Sequence, residues 1–340
     1  MQTPPSRGTS PGGKSAATGP GPPGESRPGR CPGAPSWNCK KVPNVNSTPG
    51  KPAPRHIAVL FHEQDRYRDP SAYLVHHLAG FWREDGHTVS YLYGTRRFVP
   101  ADLALVHINL SVVPERYLEF ASRYPIVLNG RIRDIRKSVV STNLVRPGDP
   151  WDGPVIVKSD LNYAGAPERF LKRTWMEQRW EMMRSLRRRV ERMRGVSAPF
   201  EESLDYKVFE RIDDVPAHWF SNPDVIVEKF RPERVDGFYH VRIYMFLGDR
   251  WSCTRVGTPR HVVKSEPGAR TETVEPAEEV VAWRRELGLD YGKLDYVVND
   301  GNVVLLDVNK TTGASTYMDD ETRRRNRRYQ AEGIYSYFLS

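Results

Sequence analysis

Between residues 55 and 135, two kinds of apolar pattern alternate along the chain. Short apolar runs, each of which predicts a strand, occupy residues 57–61, 88–93, 103–108 and 125–128. Segments with apolar residues at helical spacing, which predict helices, are 72–84 and 117–122. Because strands alternate with helices, this part of the chain favours a small open α/β domain with a largely parallel sheet.

After residue 150 the pattern is dominated by strands. The predicted strands there are 153–158, 224–230, 239–247 and 250–255. Nearer the C-terminus, the apolar runs 294–298 and 303–309 flank the turn-forming residues 299–302, Asn-Asp-Gly-Asn. This spacing predicts a β-hairpin.

The hairpin carries acidic and amide side chains where a core strand would have valine or isoleucine. Side chains alternate along a strand, so Asp307 and Asn309 share one face. Asp295 joins them if the loop has an odd number of residues, and faces the other way if the number is even. Two carboxylates and an amide oxygen on one face would suit Mg²⁺, with water and phosphate as further ligands. The alternative is a pair of exposed acids on an edge strand.

An apolar strand that ends in Lys158 is a second unusual feature, because a buried ammonium group needs an anionic partner. Small and polar residues follow at 159–167, as in loops that can cover phosphates. The segment is not a Walker motif, and no Gly-x-Gly-x-x-Gly follows the first strand. A dinucleotide-binding role is therefore disfavoured.

Composition limits the class of protein. With 340 residues, of which 38% are hydrophobic, the chain can form about two packed domains and a tail. Its three cysteines are too few and too scattered for a disulfide framework or a zinc site. No apolar run approaches the roughly 18 residues of a membrane span, so we expect a soluble, cytoplasmic protein.

The net charge of +9 is concentrated in the tail, residues 1–54. This segment has seven Lys or Arg and one acid, and 13 of the 28 prolines, with almost no large apolar side chains. Such a composition predicts disorder. Its role is open: a flexible arm, sequence upstream of the true start, or an organelle transit peptide.

Two further basic runs bear on nucleic-acid binding. Six arginines between 184 and 194 lie in a segment with apolar residues at helical spacing, which favours an amphipathic helix with a basic solvent face. The arginines at 323–328 follow three acids at 319–321, so local ion pairs are expected. Nucleic-acid binding is therefore the less favoured interpretation.

Taken in order, these features resemble the ATP-grasp superfamily of carboxylate–amine ligases, which includes glutathione synthetase and D-alanine–D-alanine ligase. The resemblance covers residues 130–316, and the α/β unit before them is similar to the domain that usually precedes the grasp. The residues that match ATP-binding positions are Lys137 and Lys158 for the phosphates, Asp160–Ala166 for the covering loop, Glu228, Lys229 and Phe230 for the adenine hinge, and Glu233 or Asp236 for the ribose.

For the reaction centre, the resemblance implies that Arg242 faces the transferred phosphate, although His240 departs from the family's Asp-x-Arg pattern. It implies that Asp295, Asp307 and Asn309 are the metal ligands. Lys310-Thr-Thr-Gly313 continues as the family's substrate-side turn does. Electrostatic stabilisation of the transferred phosphoryl group would then come from the metal, the lysines and Arg242.

The sequence thus predicts a tail at 1–54, a preceding α/β domain at 55–135 and an ATP-grasp domain of two α+β subdomains at 136–340, with a lid at about 155–230. The expected activity is ATP- and Mg²⁺-dependent ligation of a small carboxylate to an amine, with Mn²⁺ as an alternative ion. One rival is an ATP-grasp kinase. Another is a nucleic-acid or partner-binding protein that uses the tail and the basic helix. Fold does not fix the substrates, and the oligomeric state is open.

Overall fold

The computed structural model describes residues 53–67, 69–171, 206–263, 268–314 and 319–338. The predicted tail, except residues 53–54, and the predicted basic helix around 184–194 lie outside these ranges. Residues 50–340 group as one compact unit, and the division at 135 stays a prediction.

The first part of the described chain forms a parallel sheet, as predicted. Its strands are β1 (His56–Phe61), β2 (Thr88–Tyr93), β3 (Leu103–Val106) and β4 (Ile126–Leu128), in the order β2-β1-β3-β4. Two helices, α1 (Leu74–Glu84) and α2 (Glu115–Ala121), supply apolar side chains to separate core clusters that each contain alternate residues of β1. Gly86, with a φ of +91°, follows the end of α1, where a left-handed residue commonly stops a helix.

A small antiparallel sheet follows. It contains β5 (Val155–Ser159), β6 (Lys207–Phe209) and β7 (Val225–Lys229), in the order β6-β5-β7. Three short helices lie in this part of the chain: α3 (Lys137–Val140), α4 (Ala166–Leu171) and α5 (Ala217–Phe220). Of these, α5 contacts β7, whereas α4 contributes Leu171 to a core cluster of the parallel sheet. Its own core includes Val155, Val157 and Val227.

The remaining strands form a large antiparallel sheet. They are β8 (Glu233–Val235), β9 (Phe238–Leu247), β10 (Arg250–Thr258), β11 (Arg270–Thr273), β12 (Tyr291–Asn299) and β13 (Asn302–Asn309). The order is β11-β10-β9-β12-β13, with β8 also paired to β9. Helix α6 (Glu278–Glu286) contributes Val280 to a core that includes Tyr244 and Leu294.

The last helix, α7 (Asp320–Ala331), returns to the parallel sheet's helix α1. There the indole nitrogen of Trp82 donates a hydrogen bond of 2.9 Å to the carbonyl of Ala331. The predicted fold class is confirmed: a parallel α/β unit is followed by two antiparallel sheets with helices. Within the described ranges, no helix combines the length and the apolar character needed to cross a membrane.

The β12–β13 hairpin has an unexpected register. Its loop has only two residues, Asp300 and Gly301, both left-handed (φ 49° and 77°). An even loop by itself would put Asp295 and Asp307 on opposite faces. Leu306 has no partner on β12, however, and this one-residue bulge places Asp295 directly opposite Asp307.

Candidate functional site

Four polar side chains share one face of the β12–β13 hairpin. Asp295 pairs with Asp307, and Lys293 pairs with Asn309, so all four point the same way. The predicted grouping of Asp295, Asp307 and Asn309 is therefore present in the structure, and Lys293 joins it. This face is where the hairpin departs from a plain core strand.

Two lysines are ion-paired with the carboxylates. Lys137, which begins α3 and is buried, places its Nζ 3.1 Å from Asp307 Oδ1. Lys293 is ion-paired with Asp295 on its own strand. Burial alone would lower the pKa of both lysines, but the carboxylates outweigh it and raise both pKa values, so each ammonium stays charged.

Asp295 retains binding capacity. Burial, together with repulsion from Asp307, raises the pKa of Asp295 despite the attraction of Lys293. Among the described residues, no hydrogen-bond donor reaches its buried Oδ1 atom. A buried carboxylate oxygen without a donor is a group that a cation or a ligand proton can satisfy.

The donor set is compatible with Mg²⁺. Asn309 Oδ1 accepts the Thr311 N–H at 2.8 Å. The Thr311 hydroxyl is 3.4 Å away but has a shorter hydrogen bond to Asn109 Oδ1, at 2.9 Å, so Asn309 Oδ1 keeps one lone pair. Nowhere in the described ranges do three His, Cys, Asp or Glu side chains converge to hold a metal by themselves. Two carboxylates and one amide oxygen therefore fit an ion that completes its coordination with water and phosphate, as Mg²⁺ usually does.

Lys158 has the anionic partner that the sequence required. Its Nζ lies 2.6 Å from Glu228 Oε2, and both side chains are almost fully buried. Lys158 lies opposite Ile226 and Glu228 opposite Ile156 on the paired strands β5 and β7, so the ion pair runs diagonally across the small sheet. The charge of Glu228 also contributes to the raised pKa of Lys137.

The predicted phosphate-covering loop, Asp160–Ala166, is fastened at its start. Asp160 accepts hydrogen bonds from the backbone N–H and the hydroxyl of Ser138 at 2.7 and 2.9 Å. Asn162 donates to the Val308 carbonyl at 2.8 Å, which ties the loop to the hairpin strand β13. Lys137, the ion-pair partner of Asp307, also donates to Asn162 Oδ1 at 3.4 Å, so the loop lies next to the carboxylate face.

The predicted adenine hinge, Glu228–Phe230, already has internal partners. The Asn143 side-chain amide donates to the Lys229 carbonyl, and the Lys229 N–H donates to the Asn143 carbonyl, both at 2.9 Å. The Phe230 N–H donates to the Pro154 carbonyl at 2.8 Å. The adenine-binding role of Glu228, Lys229 and Phe230 thus remains a prediction from the resemblance.

The structure does not bring Arg242 to the carboxylate face. Arg242 pairs with Tyr296, the residue after Asp295, so it lies on the opposite face of the sheet. There it binds Glu233 through two nitrogens, each 3.0 Å from one carboxylate oxygen. The geometry gives no support to the prediction that Arg242 meets the transferred phosphate.

The two candidate ribose ligands also differ from the expectation. Glu233 is buried, with Arg255 Nε at 2.7 Å and the Val298 N–H donating at 2.9 Å, in addition to Arg242. Asp236 is exposed in the left-handed turn between β8 and β9. Arg255 is thus a salt-bridge partner of Glu233. A ribose role for either acid stays untested.

Three residues of this region were not singled out from the sequence, although Lys310 belongs to the predicted substrate-side turn and Tyr163 to the predicted covering loop. Lys293 lies two residues before Asp295, and strand alternation alone could have revealed that they share a face. Lys310 is buried and donates to the Leu110 carbonyl, and burial lowers its pKa to about 7. Tyr163, in the covering loop, gave no sequence signal, because its position depends on the backbone of that loop.

No protein-family model matches the sequence, and no curated protein matches it either. Among solved structures, a D-alanine–D-alanine ligase from Bacillus anthracis complexed with ATP is 11% identical, with a TM-score of 0.43, over 84% of this chain and 96% of that one. The ATP-grasp ligase PsnB, complexed with a minimal precursor, is 16% identical with a TM-score of 0.39, over 78% and 93%.

A RimK domain ATP-grasp protein from Sphaerobacter thermophilus is 12% identical with a TM-score of 0.42, over 84% of this chain and 99% of that one. Two of these three structures are described as ATP-grasp proteins, the superfamily that the sequence resembles. These three identities are below 25% and the three TM-scores below 0.5, so the likeness carries no functional argument.

Proposed function

We propose that this protein is an ATP- and Mg²⁺-dependent ligase that activates a small carboxylate as an acyl phosphate and joins it to an amine. The observation that carries the proposal is the opposed pair Asp295 and Asp307, with Lys137 and Lys293 on the carboxylates and the Asp160–Ala166 loop against them. A buried arrangement of both charge signs beneath a small-residue loop suits a metal-bound polyphosphate.

The roles follow from the chemistry of each group. Asp295, Asp307 and Asn309 would hold Mg²⁺, which when bound neutralises charge on the phosphates. Lys137 and Lys158 would contact phosphate oxygens, exchanging part of their present ion pairing for the ligand. Such fixed charges stabilise phosphoryl transfer because they need no reorganisation as the reaction proceeds.

The proposed reaction has two steps. A carboxylate oxygen of the donor attacks the γ-phosphorus, the bond to the β-phosphate oxygen breaks, and ADP leaves. The amine then attacks the activated carbonyl carbon, the carbon–oxygen bond to phosphate breaks, and the amine loses a proton as the amide forms. Holding the donor beside the γ-phosphate makes the first step effectively unimolecular, a gain of up to roughly 7–11 kcal/mol.

The first experiment is a screen of Mg²⁺-dependent ADP release across amino acids and other small carboxylates. A carboxylate that stimulates ADP release is then incubated with hydroxylamine in place of an amine. A hydroxamate, together with ADP and phosphate, is the expected product.

The products also separate the rivals. A stable phosphorylated alcohol would show a kinase, and AMP would show adenylation; either result contradicts the acyl-phosphate mechanism. Absence of nucleotide turnover and of nucleotide binding would contradict the assignment as a whole.

A further inference from the structure

Strand β11 (Arg270–Thr273) is an edge of the large sheet and is exposed along its whole length. It pairs with β10 on one side, and no other strand of the described ranges pairs with it. The opposite edge, β13, is interrupted by the bulge at Leu306 and is contacted by helix α3. Of these two edges, β11 is therefore the one that can accept another strand.

Two residues of β11 direct their backbone groups away from the sheet. The Val274 N–H donates to the Cys253 carbonyl at 3.0 Å, so Val274 belongs to a hydrogen-bonded pair of the β10–β11 ladder. Bonded and non-bonded pairs alternate along an antiparallel ladder, so the N–H and C=O groups of Thr271 and Thr273 point outward. Among the described residues, none forms a hydrogen bond with these outward groups.

The charged side chains of β11 have opposite signs. Arg270 and Glu272 lie on the same face, since side chains alternate along a strand. The guanidinium carbon of Arg270 lies 3.7 Å from the centre of the Phe238 ring, whereas the Glu272 side chain is 60% exposed and 3.6 Å from an Arg255 nitrogen. Two charges of one sign would repel a second copy of this strand, but opposite charges can be matched by one.

We propose that β11 of one copy of this chain pairs antiparallel with β11 of a second copy, about a twofold axis at Thr271. Residues whose backbone groups point outward must meet, so the registers with most overlap pair Thr271 with itself or with Thr273. In the first register, each Arg270 faces the Glu272 of the other copy. In the second, Glu272 would face Glu272, which is unfavourable. The charges therefore select the register centred on Thr271.

The two intermolecular ion pairs would lie away from the candidate active site. Glu272 is opposite Arg255, and their face of the sheet is not the one that carries Asp295 and Asp307. The inference is therefore independent of the proposed function. Because the contact is built on one short strand, we expect a weak dimer with a Kd of about 10–100 µM.

Analytical ultracentrifugation of the full chain tests the pairing at concentrations from about 1 to 500 µM. Wild type should shift from monomer to dimer as the concentration rises. Arg270→Glu and Glu272→Arg each create two like-charge contacts in this register, so each variant alone should dimerise at least about tenfold more weakly. Glu279→Arg, the same change of charge at the exposed start of α6, should dimerise as wild type does.

An equimolar mixture of Arg270→Glu and Glu272→Arg is the sharpest measurement. One variant then carries two acids on β11 and the other two bases, so every cross-strand contact again joins opposite charges. The mixture should form a heterodimer with an affinity within about threefold of wild type. Misfolding of either variant could not produce that recovery.

Thr271→Pro tests the backbone part of the contact. It removes an outward N–H group but no hydrogen bond to β10, a position at which an edge strand tolerates proline. The variant should dimerise at least about fivefold more weakly than wild type, with an unchanged melting temperature. A wild-type chain that stays monomeric at the highest concentration would overturn the proposal. Dimers that persist unchanged in the single charge variants, or a mixture of those variants that remains monomeric, would do the same.

Discussion

The two faces of the large sheet carry charged clusters that are satisfied to different degrees. On one face, the Asp295 cluster consists of Asp295, Asp307, Lys137 and Lys293. On the other, the Glu233 cluster consists of Glu233, Arg242 and Arg255. The clusters lie on different strands of this sheet: Asp295 and Asp307 belong to β12 and β13, whereas the members of the Glu233 cluster belong to β8, β9 and β10.

The Glu233 carboxylate is saturated by the protein. Both oxygens of Glu233 are engaged, by two arginines and by the Val298 N–H. Asp295 instead keeps an oxygen that no described donor reaches, and the covering loop, which has a strained backbone, contacts the neighbouring Lys137. A saturated buried cluster stabilises the fold, whereas one with spare capacity is a better candidate for binding a ligand. The charge and burial of the residues alone would not distinguish the Asp295 cluster from the Glu233 cluster.

The strongest test of this contrast is Asp307→Asn. The change keeps the size of the side chain but removes a carboxylate from the site, so we expect Mg²⁺-dependent ADP release to fall at least about 100-fold. Because the buried Lys137 loses its carboxylate partner, the free energy of unfolding should fall by about 1–3 kcal/mol, so turnover is compared for the folded variant. Coupled ADP assays at several Mg²⁺ concentrations and denaturant titrations measure the two effects.

Asp300→Asn is the matched control, because Asp300 is exposed in the turn of the same hairpin and asparagine tolerates its left-handed backbone. That variant should retain wild-type turnover. Near-normal turnover of Asp307→Asn at limiting Mg²⁺ would show that the metal assignment is wrong.

Variants of Lys158 test whether its ion pair with Glu228 both stabilises the fold and takes part in ligand binding. Lys158→Met leaves Glu228 buried and unpaired, which should cost about 3–5 kcal/mol of stability. Adding Glu228→Gln should restore much of that stability, because the uncompensated charge is removed. If Lys158 also binds phosphate, the double variant stays inactive although it folds; recovery of ADP release would assign Lys158 a structural role alone.

The Glu233 cluster should show the opposite behaviour. Glu233→Gln leaves two arginines with a neutral partner, and we expect a loss of about 3 kcal/mol in the free energy of unfolding at pH 7. Turnover of the folded variant should remain within about twofold of wild type. A selective loss of turnover in a protein of normal stability would instead place Glu233 in the functional site.

The stability that Glu233 contributes should also depend on pH. Burial would raise the pKa of Glu233, but hydrogen bonds from Arg242 and Val298 and the arginine charges outweigh it, so the pKa is lowered. Its contribution to stability is therefore complete above the unfolded-state pKa of about 4.3 and is lost as the pH falls through the folded-state value. Between pH 5 and pH 3, wild type should lose more stability than Glu233→Gln, as measured by urea unfolding. Equal losses would argue against this ionisation.

The smallest expected effect concerns the strained loop. Ala164→Gly relieves a left-handed residue (φ 54°), while the flexibility of glycine in the unfolded chain offsets part of the gain, so the variant should be more stable by about 0.5 kcal/mol. Ala166→Gly, at a helical φ of −59° in the same segment, should be less stable by about 1 kcal/mol. A destabilised Ala164→Gly would show that the backbone there is not strained.

The local pattern of apolar and polar residues was sufficient to predict most of the strands and helices and part of the site. The strands and helices of the parallel sheet, the hairpin and the need of Lys158 for an acid all follow from periodicity and from the cost of burying charge. The common face of Asp307 and Asn309 is likewise a property of one strand. The sequence also supplied the resemblance from which the candidate residues were chosen.

Relations between strands required the tertiary structure. Whether Asp295 meets Asp307 depends on the unpaired Leu306, and the face of Arg242 depends on its register with Tyr296. A single-residue shift inverts every side chain of a strand, so alternation within one segment cannot fix its relation to the next. The position of Tyr163 likewise depends on a strained backbone that only distant contacts, through Ser111 and Val308, can hold.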